Sequence, residues 1–253
     1  MALQARLTLP EHGGSLIKRL AAEGALDPLL NLAHSVWLAR DEIDLLAETG
    51  TGVVLNPQGN LKMKCGIPPI RALQDAGVRI GLGCDNCSCS DAQNMFMAMK
   101  LFALLAAASD ALPGPPQAAA ALRAATEAGA DSARLGGEVG RIAPGCKADL
   151  TLIDMSDPSW FPLNSAVRQL VHVEAGRGVR HVIVDGAVVV RDRRLTTIDE
   201  DEIYDAVQVV MPGFRRDFTA ISERVQRLQP WLDQAHQRIV STELDFDRIY
   251  IPF

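Results

Sequence analysis

Val78-Arg79-Ile80-Gly81-Leu82-Gly83-Cys84-Asp85-Asn86 is the stretch on which the reading of this chain turns. A short apolar run ends in glycine and leaves a carboxylate at its tip, and a new helical pattern begins within about six residues. In a parallel α/β barrel the active site lies at the C-terminal ends of the strands, so a residue at such a tip is placed for chemistry. A carboxylate there can ligate a metal and take a proton from bound water. The same residues also suit an ordinary strand end followed by an Asp turn or a helix cap. The flanking chain has to decide.

Upstream, the same rhythm occurs twice. Ser15 to Glu23 has helical spacing through Leu16, Ile17 and Leu20 and stops at Gly24, ahead of the apolar run Leu29 to His34. Asp41 to Glu48 predicts a helix stopping at Gly50, and Val53-Val54-Leu55 a second strand ending at Asn56-Pro57. Pro69 to Ala76 predicts a helix stopping at Gly77, and Arg79 to Gly83 the third strand. Strands that each follow a glycine-closed helix are the mark of parallel βα units. Residues 91–108 predict a long helix, Pro113-Gly114-Pro115-Pro116 a break, and Gln117 to Leu135 another helix.

Near Gly136 the period changes from helical to alternating. Val139-Gly140-Arg141-Ile142 leads into the turn Pro144-Gly145. Ala148 to Ile153 and Val179 to Val184 alternate, and Asp185-Gly186 makes a hairpin turn into Ala187 to Arg191. Asp199 to Ser241 returns to helix, with a break expected at Met211-Pro212-Gly213. The expected organisation is therefore a partial barrel over 1–135, a compact β module over 136–198 and a helical segment over 199–253. A complete (β/α)₈ barrel takes about 250 residues, whereas only three βα units precede the β module. The expected fold class is α/β, the back part of a larger barrel enzyme.

With 48% hydrophobic residues in 253, the chain can bury a sizeable core. A formal charge of −6 and a pI near 5.4 argue against nucleic-acid binding. The longest apolar stretch, Met95 to Ala108, is interrupted by Lys100 and too short for a membrane span. Met1 is followed by Arg6, Glu11 and His12 with no signal-peptide core, and the cysteine count of five is odd. A reduced, cytoplasmic setting is expected.

The three strand tips present His34, Asn56 and Asp85 in chain order. At its tip His34 could bind metal, act as acid or base, or cap its loop. A His and an Asp at barrel tips would face one pocket. Cys84-x-x-Cys87-x-Cys89 could hold zinc or an iron–sulfur centre, but such sites need four ligands with paired spacing, and Cys65 and Cys146 are distant. Small residues packed at a loop is the reading preferred. His172, His181 and His236 lack clustered carboxylates and read as packing or surface residues, and Met95, Met97 and Met99 as core.

One family gathers these residues together. Ala33-His34-Ser35-Val36-Trp37-Leu38, Asn56-Pro57 with Asn60-Leu61-Lys62, Gly66-Ile67-Pro68-Pro69, and Leu82-Gly83-Cys84-Asp85 resemble the metal-dependent amidohydrolase superfamily. The branch resembled is that of chlorohydrolases, heterocycle deaminases (cytosine deaminase-like) and s-triazine aminohydrolases. The later runs Lys147-Ala148-Asp149-Leu150, Pro162-Leu163-Asn164 and Val182-Ile183-Val184-Asp185-Gly186 agree, so the likeness covers roughly residues 13–200.

The resemblance implies strands 6 to 8 of the barrel, a small β-sandwich module and C-terminal helices. It implies that Asp85 ligates one divalent metal, zinc ahead of iron or manganese, and shuttles a proton. His34 would position or polarise the reacting group. Asn56, Trp37 and Asn86 would contact substrate, with Cys87-Ser88-Cys89 at the rim. The implied reaction is hydrolytic loss of an amine from a nitrogen heterocycle, with metal-bound hydroxide as nucleophile.

Three departures qualify it. No two of the five histidines stand two apart, so the strand-1 His-x-His pair is missing, and the metal is expected to be poorly held. Gln4 occupies the place of the strand-5 Glu, with the strand-5 His at or before residue 1. Leu55 stands where many relatives have a His before Asn-Pro, and Glu11-His12 is in the wrong order to substitute. Expected partners are a small heterocyclic amine and either a second copy or a missing N-terminal half, with no nucleic acid or membrane. The competing expectation is a catalytically incomplete, partner-dependent fragment.

Overall fold

Three short strands, β1 (Asn31–Ala33), β2 (Gly52–Leu55) and β3 (Ile80–Leu82), pair in parallel in the order β1-β2-β3. Leu32, Val53 and Ile80 stand in one row across the sheet, and Ala33, Val54 and Gly81 in the next. Every residue of β3 is buried, as a parallel sheet covered on both faces requires. The computed structural model describes residues 14–109 and 116–241; the breaks expected at Pro113 to Pro115, and Gln4 and Glu11-His12, lie outside the described residues.

The connecting helices are α1 (Leu16–Ala22), α2 (Arg40–Thr49), α3 (Pro57–Lys62) and α4 (Ile70–Asp75). In α2, Ile43 and Leu46 repeat at helical spacing and are buried against the sheet, and Asp41 and Glu42 sit at the electropositive first turn. Gly50 ends the helix at φ 70°, a conformation that costs other residues more. Glu42 is itself buried. Its carboxylate accepts from Ser15 Oγ at 2.5 Å and Ala39 N at 2.7 Å, joining the starts of α1 and α2. Helix α3 goes beyond the sequence reading, in which Asn56-Pro57 only ended the second strand. Pro57 is the first helical residue, the one position where its missing N–H costs nothing.

After β3 come α5 (Cys87–Ser90), α6 (Met95–Ala108), α7 (Ala118–Ala125) and α8 (Glu127–Ser132). The helix expected from residue 91 begins at Met95, because Asn94 caps it and Asp91 turns left-handed at φ 59°. The single helix expected over 117–135 is two. Thr126 leaves helical geometry at φ −119°, ψ −92°, while its hydroxyl donates to the Leu122 carbonyl. Ala118, Ala121 and Ala124 are buried on α7, which packs against α6, where Phe102 is 1% exposed. Small side chains on α7 let the two helices close over that ring.

The alternating half forms one antiparallel sheet of β4 (Leu150–Ile153), β5 (Val179–Val184), β6 (Ala187–Arg191) and β7 (Arg194–Leu195). Asp185 and Gly186 both have positive φ, the two-residue hairpin the sequence predicts. Among the described residues the module is this single sheet, with Leu152 and Val184 exposed. Between β4 and β5, α9 (Ala166–His172) returns to pack on α6 and α7 and buries Val171 completely. The buried Glu174 accepts from the backbone N–H groups of Ala175, Gly176 and Gly178, fixing the passage into β5.

The chain then forms α10 (Glu200–Ser241), 42 residues without the break expected at Met211-Pro212-Gly213. Pro212 and Pro230 lie inside it. Each removes one backbone donor, and the bared carbonyl can turn to water on an exposed helix, so the helix continues. No helix among the described residues is long and apolar enough to cross a membrane.

Candidate active site at the strand tips

Strand β1 runs one bond past its last residue, where His34 N donates to the Val54 carbonyl at 2.9 Å. The backbone then turns left-handed, with φ 67° at His34 and 46° at Ser35. Strand β3 ends in the same way, with Asp85 at φ 60°. Left-handed backbone at a residue other than glycine costs on the order of 1–3 kcal/mol and persists only where its surroundings hold it. Here they do. Asp85 N donates to Asn56 Oδ1 at 3.1 Å, its carbonyl accepts from Gln93 Nε2, and its Oδ1 accepts from Asn86 N at 2.8 Å.

The two turned tips bring their side chains together across β2. His34 Nε2 lies 4.0 Å from Asp85 Oδ2, with side-chain exposures of 30% and 21%, sheltered but reachable. Below them Gly59 leaves room, since a Cβ there would lie 2.8 Å from Asp85 Oδ2. Asn60 is 1% exposed, and its Oδ1 is 2.9 Å from His34 Nδ1. Because that oxygen only accepts, Nδ1 carries the hydrogen of this bond, and Nε2 is the nitrogen that faces Asp85. Asn60 Nδ2 is buried with no hydrogen-bond partner among the described residues.

The other sequence-derived residues separate into distinct places. Asn56 is buried and braces the Asp85 backbone. Asn86 is exposed, and its Oδ1 caps α5 by accepting from Cys89 N and Ser88 Oγ. Trp37 packs its ring over Gly66, whose Cβ would meet it at 3.2 Å. Leu55 is fully buried as core. Burial pushes the Cys84 thiol up, which disfavours the thiolate a metal would need. Met99 is core as expected, whereas Met97 is exposed and accepts from Gln58 Nε2. Gly59 and Asn60 were not read as site residues. The available signal was Asn60 one helical turn after the Asn56-Pro57 tip.

The donor types at the tips, one carboxylate and one imidazole, suit a zinc-like ion. Their number does not: among the described residues no three His, Cys, Asp or Glu side chains gather in a way that could hold one.

Comparison with known proteins identifies the family. The amidohydrolase family profile matches residues 9–189. A 5-methylthioadenosine/S-adenosylhomocysteine deaminase from Syntrophobacter fumaroxidans is 34% identical over 202 residues, covering 80% of this chain and 46% of that protein. A 5'-deoxyadenosine deaminase from Methanosarcina mazei is 34% identical over 197 residues, covering 78% and 45%. An adenosine deaminase from Xanthomonas campestris with bound zinc superposes with a TM-score of 0.79 at 31% identity, covering 85% of this chain and 49% of that one. The zinc complex of atrazine chlorohydrolase from Arthrobacter aurescens gives 0.75 at 25% identity, covering 83% and 47%. The chain spans about half the length of the curated relatives it matches. Its fold is that of an α/β metal-dependent hydrolase, and the chain belongs to the amidohydrolase family.

Proposed function

We propose that this chain supplies the C-terminal half of a metal-dependent deaminase that removes an amino group hydrolytically from a nitrogen heterocycle. Adenine nucleosides altered at the 5′ position are the first substrates to test, since relatives are named for them. In this reading β1, β2 and β3 are strands 6, 7 and 8 of a barrel over 1–135. Residues 136–198 contribute one sheet of a β-sandwich, and 199–253 form a helical appendage. The observation that carries the proposal is the meeting of His34 and Asp85 at 4.0 Å from two strained strand tips.

Asp85 is the metal ligand this chain would supply, with the remaining ligands coming from outside the described residues. The metal, zinc ahead of iron or manganese, would acidify water towards a pKa of about 7. Asp85 Oδ2 would be placed to hold a proton and pass it to the departing amine. Asn86 N holds the other oxygen, Oδ1, so the carboxylate keeps its aim. His34 Nε2, which faces the Asp85 carboxylate, would hydrogen-bond the reacting group of the substrate and orient the ring. Trp37 would line the approach to the site, and Asn56 and Asn86 would act by fixing the Asp85 loop.

The test is ammonia or alkylamine release from a panel of adenine nucleosides, aminopyrimidines and s-triazines. The enzyme assayed is this chain joined with the N-terminal half of a relative. Asp85→Asn should lower turnover by about 10² or more, and His34→Ala by a similar factor. Full activity in both variants would sink the assignment. A second reading, a fragment inactive without its partner half, is favoured by the lack of a third ligand among the described residues. It is supported if the chain alone is inert and the joined enzyme is active.

A further inference from the structure

Gly59 is buried in the middle of α3, a position where glycine weakens a helix relative to alanine. Its backbone does not call for glycine, because its φ lies outside the left-handed region. What calls for glycine is the space above its Cα. A Cβ at 59 would lie 2.8 Å from Asp85 Oδ2, 3.3 Å from Asp85 Cβ and 3.5 Å from Asp85 Cγ, its three nearest atoms among the described residues. The carboxylate occupies the room that a side chain would fill.

Asp85 has little freedom to yield. Its φ of 60° aims the Cα–Cβ bond, Asn56 Oδ1 and Gln93 Nε2 hold its backbone N–H and carbonyl, and Asn86 N holds Oδ1. The place of Oδ2, the oxygen 4.0 Å from His34 Nε2, then depends on how near α3 lets it come. Ordinary contact begins near 3.4 Å, so a methyl group at 59 would drive Oδ2 away by at least about 0.6 Å. Reacting groups have to be held within about 0.5 Å of their working place. We infer that Gly59 is a positioning residue for the proposed deaminase, its missing side chain setting where the Asp85 carboxylate stands opposite His34. That role rests on the function proposed for Asp85. One methyl group at 59 should therefore help the helix and harm the site.

Thermal melts of the 253-residue chain test the contact apart from any activity. In Asp85→Gly, which removes the carboxylate, adding Gly59→Ala should raise Tm by about 1–4 °C, the usual gain of alanine over glycine in a helix. With Asp85 in place the same change should bring no gain, because the carboxylate has to be pushed aside. Equal gains in both backgrounds would overturn the inference, since the carboxylate would then not press on residue 59. So would a fall of more than about 10 °C in both, which would make Gly59 a folding residue. The second arm is amine release by the chain joined with the N-terminal half of a relative. There Gly59→Ala should lower kcat about 10-fold or more and leave KM within about threefold, as a proton-carrying group is displaced and substrate binding is not. Full kcat in Gly59→Ala beside a crippled Asp85→Asn would overturn the positioning role and leave the deaminase reading standing. Full kcat in Asp85→Asn would remove the deaminase reading, and the positioning role with it.

Discussion

Replacing Asn60 by leucine separates positioning from folding at the strand tips. The side chain is 1% exposed, its Oδ1 holds His34 Nδ1 at 2.9 Å, and its Nδ2 has no partner among the described residues. Leucine keeps the same branched four-heavy-atom skeleton, with two somewhat bulkier methyl groups in place of the amide oxygen and nitrogen. The change deletes one neutral hydrogen bond, worth about 1 kcal/mol net, and leaves Nδ1 of a partly exposed ring to find water. It also removes a buried unpaired amide N–H, whose burial costs about 1–3 kcal/mol. The two effects offset, so stability should change by no more than about 1 kcal/mol, or roughly 2–4 °C in Tm. His34, however, loses the contact that sets its tautomer and aim, and a lost outer partner typically costs 10–100-fold in activity. The measurements are a thermal melt of the chain, imidazole ¹⁵N shifts of His34, and amine release by the enzyme joined with its N-terminal half. In the wild type the shifts should report hydrogen on Nδ1, and in Asn60→Leu a mixture. Unchanged shifts together with full activity would refute the positioning role, and a Tm loss above about 10 °C would show Asn60 to be chiefly structural.

Three further outcomes are expected. Glu42→Ala leaves Ser15 Oγ and Ala39 N without their shared acceptor and should cost about 2–4 kcal/mol by urea titration, whereas Glu42→Gln keeps most of it. Phe102→Ala empties the contact between α6 and α7 and should cost about 3–5 kcal/mol by the same measurement. The Lys18 hydrogen bond holds the Asp41 carboxyl below the ordinary carboxylate range. A carboxylate depressed on folding stabilises above its unfolded pKa and loses that contribution as the pH falls through its folded one. Comparison of wild type with Asp41→Asn should therefore show a difference under about 1 kcal/mol near neutrality that disappears in acid, because the pair is half exposed.

The parallel sheet was legible because each strand is a short apolar run between a glycine-closed helix and a polar tip, and that punctuation is local. The tip residues His34 and Asp85 were legible for the same reason. The bracing around them was not. Asn60 reaches His34 across 26 residues and Asn56 reaches Asp85 across 29, and which buried amide meets which tip is decided by packing. Helix α3 hid behind Asn56-Pro57, since Pro at a first helical position looks like Pro in a turn. At 212 proline suggested a break, but on an exposed helix the carbonyl it frees can be hydrated. Thr126 erred the other way, because nothing in an alanine-rich run marks the residue at which the backbone leaves the helix.

The most direct test of the central claim is the zinc retained after exhaustive dialysis by this chain joined with the N-terminal half of a relative. The account predicts about one zinc per joined enzyme, lost in Asp85→Ala and kept in Cys87→Ser, with the chain alone retaining far less. Zinc that persists in Asp85→Ala, or that the chain alone holds tightly and loses in Cys87→Ser, would contradict it.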